Sequence, residues 1–525
     1  MLTPPWLLLM AAIVPLGSAG LGRADVRLPA VFGAGMVLQR DVPIKIWGWA
    51  EPGEKVTAEF AGQRASVETD TQGRWQAELP AHPAGGPFTL VVCGHNRLTV
   101  ENVLVGEVWL CSGQSNMTLS VDQAGRAREE IAVADYPRIR LFTVAPTAVE
   151  SGPQPDCQGR WVDCQPETVG EFSAVSYFFG RALHRQLGVP VGLIHSSWGG
   201  TKAEAWMPRE VLATDPEFRA VLDHWAREVV DFPRAKAEFE ANRERLLAEW
   251  RVVAAAATAA GRMPPAEPKL RTGPNTQFAP CGLYNAMIAP LAPFALRGVI
   301  WYQGESNVGA TSLYRRLFPA LIDAWRAAWG QTEMSFLYVQ LPNLARQPEP
   351  SKSGWAEMRE AQLLALATPR TAMVVTIDVG DPQNLHPTHK QPVGERLALA
   401  AGSLVYGGPP EVGLCPVPLA SRLADSTVRV AFAHAGSGLI TRDGAAPRGF
   451  IIAGEDRRFF PAEARIEGDT VVLAGECVPR PVAVRYAWAD NPDGNLTNGA
   501  GLPASPFRTD DWPTPAPGSY TGPKQ

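Results

Sequence analysis

The feature that most constrains the fold is a series of predominantly apolar segments between residues 103 and 405, separated by helix-like stretches. The apolar segments read VLVGEVWLC, RIRLFTV, VPVGLIHSS, LRGVIWYQ, MSFLYVQL and TAMVVTIDV. The intervening stretches include AVSYFFGRALHRQLG and LYRRLFPALIDAWRAAWG, and each ends in a glycine, which is typical of a helix end. Strands that are apolar throughout are buried on both faces, so the alternation predicts a parallel sheet covered by helices on both sides, a doubly wound α/β core.

Two regions with a different pattern flank this core. Residues 25–102 and 409–525 alternate apolar and polar positions between turns rich in Gly, Pro and Asp, which is typical of antiparallel strands. We therefore expect an N-terminal β-sandwich or jelly-roll-like domain at 25–102, an α/β domain at 103–408, and a C-terminal β-sandwich with a tail at 409–525. Within the α/β domain, residues 209–262 are rich in Ala, Arg and Glu and predict an inserted helical hairpin with a solvated face.

The N-terminus has the pattern of a signal peptide at residues 1–24. Its apolar stretch from Trp6 to Leu16 is too short to span a bilayer and is followed by small residues. Export to the periplasm or the medium is therefore expected, although no basic residue precedes the apolar stretch. No other segment approaches ~18 uninterrupted apolar residues, so no membrane span is expected. A formal charge of −5 without a basic cluster makes nucleic acid a poor candidate partner.

The seven cysteines contain no CxxC pair and no zinc-ligand spacing, so they predict no zinc site. In an exported protein, Cys157 with Cys164 and Cys415 with Cys477 are candidate disulfide pairs. The odd number leaves at least one thiol free unless it pairs between chains.

Unusual polar residues follow four of the apolar strands. These segments are Ser112-Gly-Gln-Ser115-Asn116, Trp198-Gly199-Gly200-Thr201, Gln303-Gly304-Glu305-Ser306-Asn307 and the stretch from Gly380 to Lys390. Ligands of open α/β sheets bind beyond the carboxyl ends of the strands, so we expect these segments to lie close together. Serine, glycine, amide and histidine residues are the components of acyl transfer: a nucleophile, oxyanion donors and a general base. Each segment alone has an ordinary explanation as a turn, and their conjunction favours a catalytic site.

Other site chemistries fit the sequence less well. His386 and His389 have an H-x-x-H spacing, but no carboxylate or cysteine lies at a ligand-like offset, which makes metal binding a minor alternative. The chain has no phosphate-binding G-x-x-x-x-G-K-[ST] loop and no G-x-S-x-G nucleophile elbow. No strand end offers the two acids that a glycosidase uses.

The motifs GEVWLCSGQSNM, SSWGGTKAEAW, GVIWYQGESN and HPTHKQPVGERLA resemble those of the SGNH (GDSL-like) hydrolase superfamily. More narrowly, the chain resembles the sialate O-acetylesterase-like carbohydrate acetylesterases over its whole length after the leader. The resemblance implies an SGNH-type α/β/α catalytic core and a serine esterase that removes O-acetyl groups from carbohydrates without a cofactor. The candidate substrates are acetylated plant-type polysaccharides or oligosaccharides and O-acetylated sialic acids.

The resemblance also implies a role for each catalytic residue. Ser115 attacks the acetyl carbonyl, and His386 takes the serine proton and returns it to the departing sugar hydroxyl. The backbone N–H of Ser115, that of Gly199 or Gly200, and the side-chain amide of Gln303 are expected to form the oxyanion hole.

Four more residues are expected to support the loops or the substrate. Asn116 begins the exit from the first strand, and Glu305 is expected to brace its loop. Trp198 and Trp301 are candidates for stacking on sugar rings, together with Trp206 and Tyr302, although packing in the core is the commoner role for such residues.

The sequence does not decide which acidic residue, if any, orients the His386 ring. The superfamily often places an Asp three residues before the His, where this chain has Gln383. Asp381 is the candidate that would orient His386, and Asp378 is expected to be structural. A Ser–His dyad, in which a backbone carbonyl or Gln383 fixes the histidine tautomer, is an equally good alternative.

Two other function classes stay open. A non-catalytic glycan-binding protein would carry a degenerate hydrolase core, but intact Ser115, Gln303 and His386 argue against it. An esterase for non-sugar acyl groups would need a site for an acyl chain, and no segment indicates one.

Overall fold

The computed structural model describes residues 25–260, 264–265, 267–270, 272–345, 353–424 and 426–513. The predicted signal peptide at 1–24 and the last twelve residues of the predicted tail lie outside these ranges. Among the helices in these ranges, none is long and apolar enough to cross a membrane.

The described ranges contain 23 strands. They are β1 (Val37–Gln39), β2 (Ile44–Trp49), β3 (Lys55–Phe60), β4 (Gln63–Glu68), β5 (Arg74–Leu79), β6 (Gly85–Cys93), β7 (Arg97–Gly113), β8 (Tyr136–Thr143), β9 (Trp161–Cys164), β10 (Val191–Ser197), β11 (Gly298–Tyr302), β12 (Ser335–Val339), β13 (Thr371–Val374), β14 (Val417–Ala424), β15 (Thr427–Ala433), β16 (Leu439–Thr441), β17 (Phe450–Ala453), β18 (Phe459–Pro461), β19 (Glu463–Glu467), β20 (Thr470–Ala474), β21 (Ala483–Tyr486), β22 (Leu496–Asn498) and β23 (Phe507–Arg508).

The same ranges contain ten α-helices. They are α1 (Ser115–Thr118), α2 (Ala127–Ala132), α3 (Pro166–Val169), α4 (Ala174–Leu187), α5 (Arg209–Thr214), α6 (Pro216–Ala259), α7 (Thr311–Trp329), α8 (Gly354–Leu364), α9 (Gln391–Leu404) and α10 (Pro410–Gly413). Short 3₁₀ or π turns occur at Val121–Gln123, Ala203–Trp206, Tyr284–Ile288, Ala289–Leu291, Glu305–Asn307 and Ala365–Ala367.

The central sheet has the strand order β13-β12-β11-β7-β10-β8-β9. The first six of these strands run parallel to their neighbours, and β9 pairs antiparallel at the edge. Helices cover both faces: Phe179 of α4 packs on Trp109 from one side, with ring centroids 5.1 Å apart, and Trp325 of α7 packs on Trp301 from the other, at 5.7 Å. The structure thus has the α/β class predicted from the apolar strands.

Strand β7 joins the N-terminal strands to this core. Its first half pairs with β6 and β1, and its second half pairs with β10 and β11. The predicted boundary between residues 102 and 103 therefore falls inside one continuous strand. The two regions share an eleven-stranded mixed sheet, and their division into domains stays a prediction.

The predicted helical hairpin at 209–262 is wrong. A short helix, α5, is followed by the single 44-residue helix α6. Asp215 caps the start of α6 through the backbone N–H groups of Glu217 and Phe218, and Pro233 lies within the helix without ending it. The segments on both sides of Pro233 are rich in the strong helix formers Ala, Arg and Glu, and the helix continues through the proline.

The C-terminal region forms two four-stranded antiparallel sheets, β14-β15-β20-β19 and β18-β17-β21-β23. Phe432 of one sheet and Phe507 of the other are in contact, with ring centroids 5.7 Å apart. The fully buried guanidinium of Arg359 in α8 donates to the backbone oxygens of Ala489 and Asp490, which ties this region to the α/β core.

The expected disulfides are not formed, since all seven cysteines are free thiols. Cys157, Cys164 and Cys415 are buried, whereas Cys477 is exposed. Burial raises the pKa of the Cys157 and Cys164 thiols to about 12, so these residues act as small apolar side chains in the core.

Candidate active site

Strand β7 delivers Ser115 to the edge of the central sheet. The strand ends at Gly113, where φ is +139° and a Cβ would lie 2.1 Å from the carbonyl oxygen of Tyr302. Only glycine fits this close approach to the neighbouring strand. Gln114 then donates its backbone N–H to the same oxygen at 2.9 Å, and helix α1 begins at Ser115. The sharp turn exposes the serine side chain at the end of the strand.

Ser115 and His386 form a hydrogen-bonded pair. The distance from the Ser115 Oγ to the His386 Nε2 is 2.8 Å, although 271 positions separate the residues in sequence. His386 lies between β13 and α9, and its backbone N–H donates to the Asn384 side chain at 2.9 Å. Partial burial and then the charge of Lys390 lower the pKa of His386, so the imidazole is neutral at neutral pH and can accept the serine proton.

Gly199 lies against the nucleophile. A Cβ at this position would be 3.4 Å from the Cβ of Ser115, and the following Gly200 has a φ of +75°. No hydrogen bond between described residues uses the backbone N–H of Ser115, Gly199 or Gly200. These groups are therefore available to a negatively charged oxygen beside the Ser115 Oγ.

Gln303 is brought to the same strand edge, but its amide is engaged. The Nε2 group donates to the Asn307 Oδ1 at 2.7 Å and to the Thr201 backbone oxygen at 3.2 Å. The side chain is fully buried, and its Oε1 has no hydrogen-bond partner among the described residues. In this arrangement Gln303 holds the loop that contains Gly199 and Gly200, and both of its N–H groups are used.

Asn116 connects three loops of the site. Its Nδ2 donates to the Glu305 Oε1 at 2.5 Å and to the backbone oxygen of Leu385, the residue before the histidine, at 3.1 Å. Its Oδ1 accepts from the Lys390 Nζ at 2.5 Å. One buried amide thus fixes the positions of the serine turn, the loop after β11 and the histidine loop relative to each other.

Lys390 is a site residue for which the sequence analysis assigned no role. The side chain is buried, its Nζ lies 5.3 Å from the centroid of the Tyr302 ring, and burial lowers its pKa to about 7 against the opposing attraction of Glu305. Its place four residues after His386, within HPTHK, is a sequence signal that could have found it. Its partners, Asn116 and Glu305, lie far away in the sequence, so the burial of the lysine could not be predicted from the local motif.

The two candidate acids have other partners. The Asp381 Oδ1 accepts from the backbone N–H of Gln383 at 2.9 Å, and no hydrogen bond between described residues joins Asp381 to His386. Asp378 makes two 2.7 Å hydrogen bonds to Arg396, which agrees with its expected structural role.

Residues 274–402, which include Gln303, Glu305 and His386, match the profile of the family described as carbohydrate esterase, sialic acid-specific acetylesterase. The chain is 33% identical to the sialate O-acetylesterase of Mus musculus over 430 residues, which cover 74% of this chain and 75% of that protein. The human sialate O-acetylesterase is also 33% identical over 430 residues, or 74% and 72% of the two chains. The chain belongs to the sialate O-acetylesterase family.

A solved structure supports the same assignment. A carbohydrate acetylesterase from Xanthomonas citri is 39% identical, with a TM-score of 0.78, and the match covers 93% of this chain and all of that one. This member of the sialate O-acetylesterase family is therefore a carbohydrate O-acetylesterase. The finding favours an enzyme over a non-catalytic glycan-binding protein.

The aromatic residues expected at the sugar are mostly in the core of this sialate O-acetylesterase family member. Trp301 is 1% exposed and packs edge-on against Trp206 and Trp325. Tyr302 is also fully buried. Their expected stacking on a sugar ring is wrong, because neighbouring side chains cover them. Trp198 is half-buried and still fits the expected contact with substrate.

Proposed function

We propose that this carbohydrate O-acetylesterase cleaves its substrates by a Ser–His acyl-enzyme mechanism in an SGNH-type core. The observation that carries the proposal is the 2.8 Å contact between the Ser115 Oγ and the His386 Nε2 at the carboxyl edge of the parallel strands. A serine whose hydroxyl hydrogen-bonds to a neutral imidazole is the activated nucleophile of acyl transfer.

The reaction has two stages. The Ser115 Oγ attacks the acetyl carbonyl carbon while the His386 Nε2 takes the hydroxyl proton, and the backbone N–H groups of Ser115 and of Gly199 or Gly200 hold the oxyanion. When the tetrahedral adduct collapses, His386 gives the proton to the departing sugar oxygen and leaves an acetyl-serine. Water, deprotonated by His386, then attacks the acetyl group, acetate departs, and the proton returns to Ser115.

The serine and the histidine are proposed to act as a dyad. The alternative is a triad with Asp381, and the present partner of that carboxylate, the N–H of Gln383, supports the dyad. Gln303 is proposed to support the oxyanion loop through its bond to the Thr201 oxygen rather than to touch the oxyanion itself.

Asn116, Glu305 and Lys390 are proposed to position the pair and to set its charge. The Asn116 bond to the Leu385 oxygen fixes the backbone next to the histidine. The ammonium of Lys390 disfavours a proton on His386, which keeps the base neutral before reaction, and Glu305 partly balances the lysine charge.

The proposed substrates are acetylated plant-type polysaccharides and oligosaccharides, reached after export directed by residues 1–24. The 39% identity, over nearly the whole chain, to the carbohydrate acetylesterase from Xanthomonas citri supports an acetylated carbohydrate as the substrate. O-acetylated sialic acid is the second candidate, favoured by the description of the matching family profile.

Acetate release tests the proposed function. The protein and its Ser115→Ala variant are given acetylated xylan, acetylated xyloglucan oligosaccharides and 9-O-acetyl sialic acid, and free acetate is measured over time. We expect release from the plant-type glycans by the parent protein and none above background by the variant. Full activity of Ser115→Ala would overturn the mechanism, and activity on 9-O-acetyl sialic acid alone would overturn the substrate assignment.

A further inference from the structure

The two-stranded sheet formed by β2 and β5 has one fully buried face, the inner face, and one partly exposed face, the outward face. Ile46 and Ala77 are completely buried on the inner face, and the strands pair in antiparallel register. Residues of a strand alternate between faces, so the outward face is built from the intervening positions. These are Lys45, Trp47 and Trp49 from β2 and Arg74, Gln76 and Glu78 from β5, none of which is fully buried.

This face forms one wall of an open cavity of about 460 Å³. Trp47 lies directly opposite Gln76 in the register, and Trp49 lies opposite Arg74, so each indole has a polar neighbour. The loop from Pro153 to Pro155 forms part of the rim. No lining residue of the cavity belongs to the Ser115–His386 site, so the mechanism proposed above makes no use of it.

The two indole rings are held in place by packing. Trp47 meets Phe32 edge-on with ring centroids 4.6 Å apart, and it meets Phe294 at 6.4 Å. The guanidinium of Arg27 lies 5.9 Å from the centroid of Trp49. Both tryptophans are half-buried, whereas Trp301 and Trp325 of the α/β core are fully buried. The cavity therefore has partly exposed aromatic rings that lose little conformational freedom when a ligand binds.

The charges beside the rings are balanced. The Asp70 carboxylate accepts from the Arg74 Nε at 3.0 Å and from the backbone N–H groups of Gln72 and Arg74, both at 2.8 Å. Lys45 lies opposite Glu78 in the same register. An anionic ligand would have to compete with these carboxylates, whereas a neutral ligand rich in hydroxyl groups can hydrogen-bond to both members of a pair.

We propose that this face, composed of Trp47, Trp49, Asp70, Arg74 and Gln76, is a non-catalytic binding subsite for a neutral polysaccharide chain. A sugar ring offers an apolar C–H face to an indole and a rim of hydroxyl groups to amide and charged side chains. Trp47 and Trp49 are two residues apart on one strand, about 7 Å, so neighbouring sugars of one chain can meet both rings. The identity of the ligand rests on the proposed function, since the carbohydrate acted on at Ser115 is the chain bound here.

Binding is tested in the Ser115→Ala background, so that hydrolysis does not interfere. Affinity electrophoresis in gels containing deacetylated xylan, xyloglucan or glucomannan measures the dissociation constant for each polysaccharide. We expect retardation by at least one of them and a loss of about tenfold in affinity in Trp49→Ala, the equivalent of one aromatic contact. Trp250→Ala, a half-buried tryptophan of α6 that does not line the cavity, is the matched control and is expected to bind normally.

Steady-state kinetics give a second readout. With Ser115 present, Trp49→Ala is expected to hydrolyse p-nitrophenyl acetate at the parent rate but to show a raised KM and an unchanged kcat on acetylated polymer. Gln76→Ala, an exposed substitution that leaves the fold intact, is expected to weaken binding in the same direction.

The outcomes separate this subsite from the catalytic proposal. If no polysaccharide retards the protein, or if Trp49→Ala and Gln76→Ala bind as tightly as the parent, the subsite is overturned. Equal losses in Trp250→Ala and Trp49→Ala overturn it as well. Retardation of a protein that releases no acetate would instead refute the esterase mechanism and leave the subsite standing.

Discussion

At the scale of single residues, the charge that acts on the proposed general base comes from a lysine. Partial burial and then the charge of Lys390 lower the pKa of His386. The imidazole must be neutral to accept the proton of Ser115, so a lower pKa extends activity toward more acidic pH. The acid limb of kcat/KM is therefore expected below the ordinary histidine pKa of about 6.5.

Replacing Lys390 with methionine tests this electrostatic effect. Without the ammonium, the pKa of His386 rises and the acid limb of kcat/KM for p-nitrophenyl acetate moves to higher pH. Lys236→Met removes an exposed lysine of α6 and is expected to leave the profile unchanged. An acid limb that stays in place in folded Lys390→Met would show that the charge of the lysine does not act on His386.

Asp381→Asn separates the dyad from the triad. The Asp381 carboxylate bonds to the N–H of Gln383, and the amide oxygen of asparagine can accept the same bond. We therefore expect kcat within about tenfold of the parent. A loss near 10⁴-fold, the size seen when a triad carboxylate is replaced, would identify Asp381 as the orienting acid.

At the scale of elements, the end of strand β7 determines where Ser115 lies. Gly113→Ala would place a Cβ 2.1 Å from the Tyr302 oxygen at a φ of +139°. We expect a loss of at least about 2 kcal/mol in the free energy of unfolding, and a lower kcat because β7 must move away from β11. Both quantities are measured by denaturant unfolding and by ester hydrolysis.

Gly152→Ala is a matched control for this substitution. Its φ is +138°, nearly the same as that of Gly113, but no atom lies within 4 Å of an added Cβ. The control carries the backbone strain without the clash. Equal losses in the two variants would mean that the close approach to Tyr302 has no role in placing the serine.

The elements predicted correctly are those whose residue pattern is compatible with only one type of secondary structure. Core segments such as GVIWY and FLYV are apolar at every position, which a half-exposed strand does not tolerate, and helices α4 and α7 end at glycines with a positive φ. The Ala, Arg and Glu run of α6 fits a hairpin as well as one long helix, so composition did not decide between them. The cysteine pairings failed because sequence spacing says nothing about distance in space.

The site was predictable in part for a similar reason. The serine and the histidine lie at strand ends, and the topology of a parallel sheet brings such ends together. The pairing of Asn116 with Glu305 and Lys390 depends on side chains separated by 189 and 274 positions, and no local pattern encodes it. The hydrogen bonds of Gln303 to Thr201 and Asn307 could not be predicted from the sequence for the same reason.

At the scale of the whole molecule, the C-terminal sheets and the α/β core are joined through Arg359. This fully buried side chain donates to the backbone oxygens of Leu341, Pro342, Ala489 and Asp490. Arg359→Met would leave four buried carbonyl groups without their donor. We expect a loss of about 3 kcal/mol or more in the free energy of unfolding, seen as a lower midpoint of thermal unfolding.

Arg465→Met is the control for this prediction. Arg465 lies on β19 with 69% of its side chain exposed and is paired with Glu467. Removal of such an exposed ion pair is expected to change stability by less than about 1 kcal/mol. If both variants unfold at the parent temperature, the contacts of Arg359 do not hold the two parts of the molecule together.

The proposed mechanism requires Ser115 as the nucleophile, and covalent labelling tests this assignment most directly. A fluorophosphonate reacts with an activated serine, and mass spectrometry of the digested protein locates the adduct. We predict one adduct per chain, on Ser115, with esterase activity lost in proportion to labelling and no labelling in His386→Ala. An adduct on Ser112 or elsewhere, or full activity in a protein completely labelled at Ser115, would contradict the mechanism.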